Sequence, residues 1–241
     1  MSALISAELL RLRTLRSPRY GVPGLLAFVA FAAAAPLIFA RSGPPPGPAA
    51  TADSLRSLAF VGGVIVAAVV AANNAGAEFK DRSIAITYLS HPDRHLVAAA
   101  RALTYARVGS LFAAGAASVV LAVGVPASGH AGVHVGFSAT EVARVVAGAA
   151  FGGAVMGAAG VLLGSVTRHP VIASGAIAGW NVGESFVSTA GIGPYLPFRL
   201  VHSLLGVGDE VSAGMAPALL LGYLTAFGLV VGRWALPRDV T

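Results

Sequence analysis

Six stretches of the chain run almost without charge: residues 21–40, 55–77, 97–125, 141–166, 171–187 and 215–236. Each approaches or exceeds the roughly 20 apolar residues that an α-helix needs to cross a bilayer. The breaks between them carry turn chemistry. SGPPPGP, which follows Arg41, cannot be helical, because each proline removes an amide donor and clashes with the preceding turn. VPASGHAGVHVGF at 125–137 reads as a glycine-rich turn. Ser138 and Glu141 then form an S-x-x-E capping box that starts the fourth run. His169-Pro170 is a tight link, with Pro170 suited to a first helical position. GIGPYLPFRLVHSLLGVGDE at 191–210 is too broken to span and apolar enough to sit in the interface or dip into it. The expected fold is therefore an all-α polytopic membrane protein with six transmembrane helices in one domain over 1–241.

Composition agrees. The 241 residues are 56% hydrophobic and 11% charged, against about 25% charged in soluble domains. The chain has no cysteine, which removes disulfide, thiolate-metal and thiol chemistry. Its basic residues are arginines except Lys80, and alanine and glycine are heavily used, as in GC-rich bacterial coding. The net charge of +6 reads as membrane anchoring rather than nucleic-acid binding. Lys and Arg mark the cytoplasmic side. Six spans place Arg11, Arg13, Arg16, Arg19, Lys80, Arg82, Arg94, Arg101, Arg107, Arg168, Arg233 and Arg238 on one side, and Arg41, Arg56, Arg144 and Arg199 on the other. Both termini are expected in the cytoplasm, as is the charged island EFKDRSIAITYLSHPDR at 78–94.

That island reads as a short helix ending near Ser90 and a sharp break at His91-Pro92-Asp93. Pro92 suits a first helical position, and Asp93 suits the positive end of the next helix dipole. A solvated loop has no need of Ile84, Ile86, Tyr88 and Leu89 together; apolar residues rimmed by charge suggest a docking surface. The pattern Glu78-Phe79-x-x-x-Ser83-Ile84-x-x-Thr87-x-Leu89-x-x-Pro92-x-Arg94 resembles bacterial ABC-2 type permeases. Tyr88 stands where that family commonly has leucine, and Ala100-Arg101 replaces its usual Ala-Lys. SAELLRLRTLRSPR near the start and WALPRDVT at the end are similar to the family's opening and closing segments, with Pro237 in place of an arginine.

The resemblance implies a permease subunit with a cytoplasmic coupling loop at 78–96. Arg82, Ser83, Ile84, Thr87, Tyr88 and Leu89 would dock on an ATPase, and Pro92, Asp93 and Arg94 would form the turn. It also implies two copies of the ATPase, a second permease copy or a related permease, a bacterial cell membrane, and export of a lipophilic or amphipathic compound such as an antibiotic. No G-x-x-x-x-G-K-[ST] occurs, and Lys80 follows no glycine-rich loop. The chain is thus not expected to be an enzyme or to bind a cofactor, with ATP and magnesium on the partner. An ATP-independent secondary transporter, or a non-transporting immunity or assembly protein, is the alternative.

Other features have two readings. Gly148, Gly152, Gly160 and Gly164 recur at four-residue steps completed by Met156; Gly175, Gly179 and Gly183 repeat the spacing, as do Gly228 and Gly232. Small residues at this spacing let helices approach closely, within one bundle or between copies. Asn73 and Asn74 fall near one end of the second run. Asn181 and Glu184 fall near the other side, on a translocation path or at the outer surface. Glu141 and Arg144, three apart, are expected to pair. Residues 1–20 read as an interfacial basic helix or a topogenic tail. The histidines, His130 and His134 included, show no accompanying ligand set. Residues 188–212 are expected outside the cell, partly re-entrant.

Overall fold

The computed structural model describes residues 16–34, 47–187, 192–208, 211–212 and 214–234. The N-terminal segment before Arg16, most of SGPPPGP, and WALPRDVT after Trp234 lie outside the described residues. Among the described residues eight α-helices follow one another: α1 (Arg16–Ala33), α2 (Pro48–Lys80), α3 (Ile84–Ser90), α4 (Arg94–His130), α5 (Ala139–Thr167), α6 (Pro170–Val187), α7 (Pro197–Leu205) and α8 (Met215–Trp234). No strand occurs among the described residues. Four of these helices, α2, α4, α5 and α8, are long and apolar enough to cross a membrane.

The sequence marks several helix ends, but α2 begins at Pro48, the last residue of SGPPPGP and seven before the expected 55, with its proline in the first turn. Ser138 and Glu141 close the capping box: the Ser138 hydroxyl accepts from the Glu141 N–H at 3.2 Å, and the Glu141 carboxylate accepts from the Ser138 N–H at 2.8 Å. Asp93 caps α4 by accepting from the His95 and Leu96 N–H groups, both at 3.0 Å. It is thus the N-cap itself, and Pro92 lies one residue outside the helix. The expected turn at 125–137 begins late. α4 runs 37 residues, about 55 Å at 1.5 Å per residue, and takes Pro126 inside it. Only the Ala122 carbonyl loses its usual donor there. Side chains then reinforce the last turn, with the Ser128 hydroxyl donating to the Gly124 carbonyl at 2.8 Å and the His130 ring to the Pro126 carbonyl at 2.9 Å.

α5 is the hub. Its most apolar window is 67% buried, against 17% for α8, and α2, α4, α6, α7 and α8 all pack on it. Glycine makes this possible. A Cβ on Gly153 would lie 2.4 Å from the Gly109 carbonyl oxygen, so α4 and α5 cross backbone to backbone. On another face, Gly160 and Gly164 meet the Ala68 and Ala72 carbonyls of α2, while Gly148 and Gly152 meet Leu204 and Val201 of α7. The core between these helices is built from small and β-branched residues such as Ala113, Ala117, Val120, Val145 and Ala149. Where α1 and α7 also press on α2, at Phe60–Ile65, α2 widens into a π turn.

α6 and α1 differ from the other runs. α6 has 18 residues, about 27 Å, and carries Asn181 and Glu184. α1 holds Pro23, and its apolar part is Pro23–Ala33.

Candidate functional site

The two ends of the bundle carry different chemistry. At one end α2 finishes, α4 begins and α5 finishes, and α3 lies between α2 and α4. Arg82 turns the chain into α3 with φ +58°, the left-handed region that L side chains rarely adopt. α3 then presents two faces. Ile84 is 1% exposed and Tyr88, one turn on, is half-buried, so both point into the bundle. Ile86 and Leu89 are 72% and 86% exposed, beside exposed Lys80, Asp81 and Arg82. Of the residues expected to dock a partner, Arg82 and Leu89 lie on the outer face, Ser83 and Thr87 on its flanks, and Ile84 and Tyr88 on the inner one.

Beneath α3 sits a charged cluster. Glu78 of α2 and Arg101 of α4 form an ion pair and are both nearly fully buried. Arg94 lies over the Tyr88 ring at 5.3 Å, and Arg168 lies over Phe79 at 5.6 Å. Burial pushes the Tyr88 hydroxyl above its ordinary value, against the pull of Arg101, Arg94 and Arg168. Tyr88 is therefore a neutral phenol at any physiological pH. Read from the sequence, Arg101 is a side marker and Glu78 the first residue of the ABC-2-like pattern. Their signal was periodicity: Glu78 continues the buried row Ala68, Ala71 and Ala75, and Arg101 falls between buried Val97 and Thr104.

At the opposite end, α7 is clamped at both termini. The Glu184 carboxylate, from α6, accepts the Phe198 N–H at 3.0 Å and the Arg199 N–H at 3.1 Å, and is bonded by the Trp180 indole. These are orphan donors of the first turn of α7, which leucine at the N-cap cannot satisfy. At the other terminus, Arg144 donates to the Ser203 carbonyl at 2.9 Å and Arg56 to the Gly206 carbonyl at 3.2 Å. A carboxylate at the N-terminus and guanidinium groups at the C-terminus both suit the helix dipole. Arg144 does not pair with Glu141, which caps α5 and meets Arg56 at 3.4 Å. Inside, Phe60 packs edge-on against Phe198 and His202.

Glu184 is thus turned inward and fully engaged, while Asn181 lies on the flank of α6, half-buried. The region expected to be partly re-entrant contains a helix packed into the core through Leu200, Val201 and Leu205. The glycine rows separate too. Gly148, Gly152, Gly160 and Gly164 pack inside the bundle, whereas Gly175, Gly179 and Gly183 face open space. Among the described residues, no cluster of three or more His, Asp or Glu could hold a metal ion. No protein-family model, curated protein or solved structure matches the chain.

Proposed function

We propose that this chain is the membrane-spanning subunit of an ABC-2 type transporter, driven by a separate ATPase and exporting a lipophilic or amphipathic compound. In this reading α1 and α6 complete six spans around the four long helices. Both termini and α3 face the cytoplasm of a bacterial cell. Two ATPase copies bind ATP and magnesium, and a second copy or a related permease completes the assembly.

The observation that carries the reading is the two-faced α3. A helix of two turns at the charged end of an apolar bundle keeps Ile86 and Leu89 exposed while its other face is seated over the Glu78–Arg101 pair. A push on the outer face is borne by Ile84 and Tyr88, and passes to the ends of α2 and α4. At the far end, α7 forms a clamped wall that moves with α6 through Glu184. The resemblance of 78–94 to the ABC-2 pattern supplies the partner class.

The test is affinity capture of the tagged chain from its own membrane in mild detergent. A P-loop ATPase should co-purify, identified by its peptides and by ATP hydrolysis in the eluate. Ile86→Asp with Leu89→Asp should release it while the chain keeps its melting temperature. If no ATPase accompanies the folded native chain, a gradient-driven or non-transporting role takes precedence.

A further inference from the structure

A cavity of about 350 Å³ lies in the half of the bundle nearer α7, between α5, α6, α7 and α8. Met156 and Gly160 of α5 form its floor, with Phe198 at its α7 end and Phe227 on α8. Trp180 and Tyr223 line it while remaining about half exposed, at 57% and 45%, and so mark its mouth. α6 leans on α2 and α5, α8 leans on α5 and α7, and the opening falls between α6 and α8.

Its chemistry excludes water. The one indole N–H in the wall is taken by Glu184. The Tyr223 hydroxyl, which bonds to no described residue, sits at the mouth rather than inside. A site with no polar partners does not hold water, and apolar cavities of this kind stay dry or take apolar molecules. What lies outside the mouth is set by the faces around it. Val182 and Phe186 of α6 and Leu221, Leu229 and Val230 of α8 are all exposed and apolar, and α8 is long and apolar enough to cross a membrane.

We propose that the cavity binds one hydrocarbon chain of a membrane lipid, inserted sideways between α6 and α8. The volume equals about a dozen liquid-water volumes of roughly 30 Å³, and a methylene group is of similar size. That is room for about a dozen methylene groups, most of one acyl chain. The inference rests on the six-span placement of α6, and otherwise stands apart from the ATPase-driven reading.

The experiment uses the full chain in dioleoylphosphatidylcholine vesicles containing a trace of phosphatidylcholine with a diazirine in one acyl chain. After photolysis, adducts are mapped by peptide mass spectrometry. The expected result is labelling of the buried stretch around Met156 and Leu163, well above that of the buried Ala113, Ala116, Ala117 and Val120 of α4. Ala159→Phe, and separately Leu224→Phe, should reduce that labelling on the order of tenfold, the loss expected when two methylene groups forfeit their burial. Labelling of the outward Val182 and Leu229 should stay unchanged. Adducts confined to outward residues in the native chain would overturn the proposal without any variant. So would protein–protein cross-links at Trp180 and Tyr223 in place of lipid adducts, which would make the mouth an interface between copies.

Discussion

Glu184→Ala separates a capping carboxylate from one lining a translocation path. The substitution leaves the Phe198 and Arg199 N–H groups at the start of α7, and the Trp180 indole, without the Glu184 acceptor. Loss of a helix cap costs about 0.5–2 kcal/mol, and a buried donor left unpaired about 1–3 kcal/mol. With partial rescue by water near the membrane edge, the net cost is on the order of 2–4 kcal/mol. For a chain of this length each kcal/mol lowers the melting temperature by about 2–4 °C, so the variant should melt about 4–16 °C lower. Glu184→Gln keeps one acceptor and should lose about half as much. The assay is thermal unfolding of the purified chain in detergent, followed by fluorescence in a Trp234→Phe background so that Trp180 alone reports. Its emission should shift in Glu184→Ala before any heating, because the indole loses its partner. Melting within about 1 °C of the native chain, with unmoved Trp180 emission, would refute the capping role. Loss of transport without loss of stability would then return Glu184 to the path.

The Glu78–Arg101 pair makes a two-sided prediction. Arg101→Met alone should destabilise by about 3–5 kcal/mol, whereas Glu78→Leu with Arg101→Met should recover most of that loss, as read in a double-mutant cycle of melting temperatures. Gly153→Leu should separate α4 from α5 and cost at least about 1–3 kcal/mol, because its Cβ meets a carbonyl oxygen rather than a movable side chain. Ile84→Asp should destabilise the chain itself, unlike Ile86→Asp, and equal melting of the two would show that α3 is not seated as described. The chain contains no cysteine, so Ile86→Cys and His134→Cys can be labelled singly in intact cells. An impermeant maleimide should reach only the second, and the same accessibility for both would overturn the proposed orientation.

The long helices were legible because their signal is long: twenty apolar residues leave no other use for α2, α4, α5 and α8. Short signals read less evenly. The capping box at Ser138 held because both of its partners are local. VPASGH misread as a turn because proline and glycine composition does not show that Ser128 and His130 reach back to carbonyls one turn earlier. In α3, apolar residues fall on both sides of two turns, so spacing alone gave no inner face; the Glu78–Arg101 cluster provides the seat. The glycine rows had identical spacing and different fates, because what a small residue meets depends on the neighbouring helix. Glu184 was recognisable as unusual, but its partners lie 14 and 15 residues away in a segment that composition marks only as broken. The lipid-sized cavity had no sequence signal, since its walls are ordinary apolar side chains.

The Glu78–Arg101 pair also bears on how the chain enters a bilayer during synthesis. The two residues are 23 positions apart, with α3 between them. At about 5–20 residues per second, the acid emerges one to five seconds before its base. Through that interval Glu78 lacks the partner that it has in the folded chain, with Lys80 and Arg82 the cations next to it in sequence. The arrival of Arg101 completes the ion pair that joins the end of α2 to the start of α4. Newborn Arg101→Met chains, followed by pulse-chase, should therefore be degraded faster than native ones, in addition to melting lower once folded.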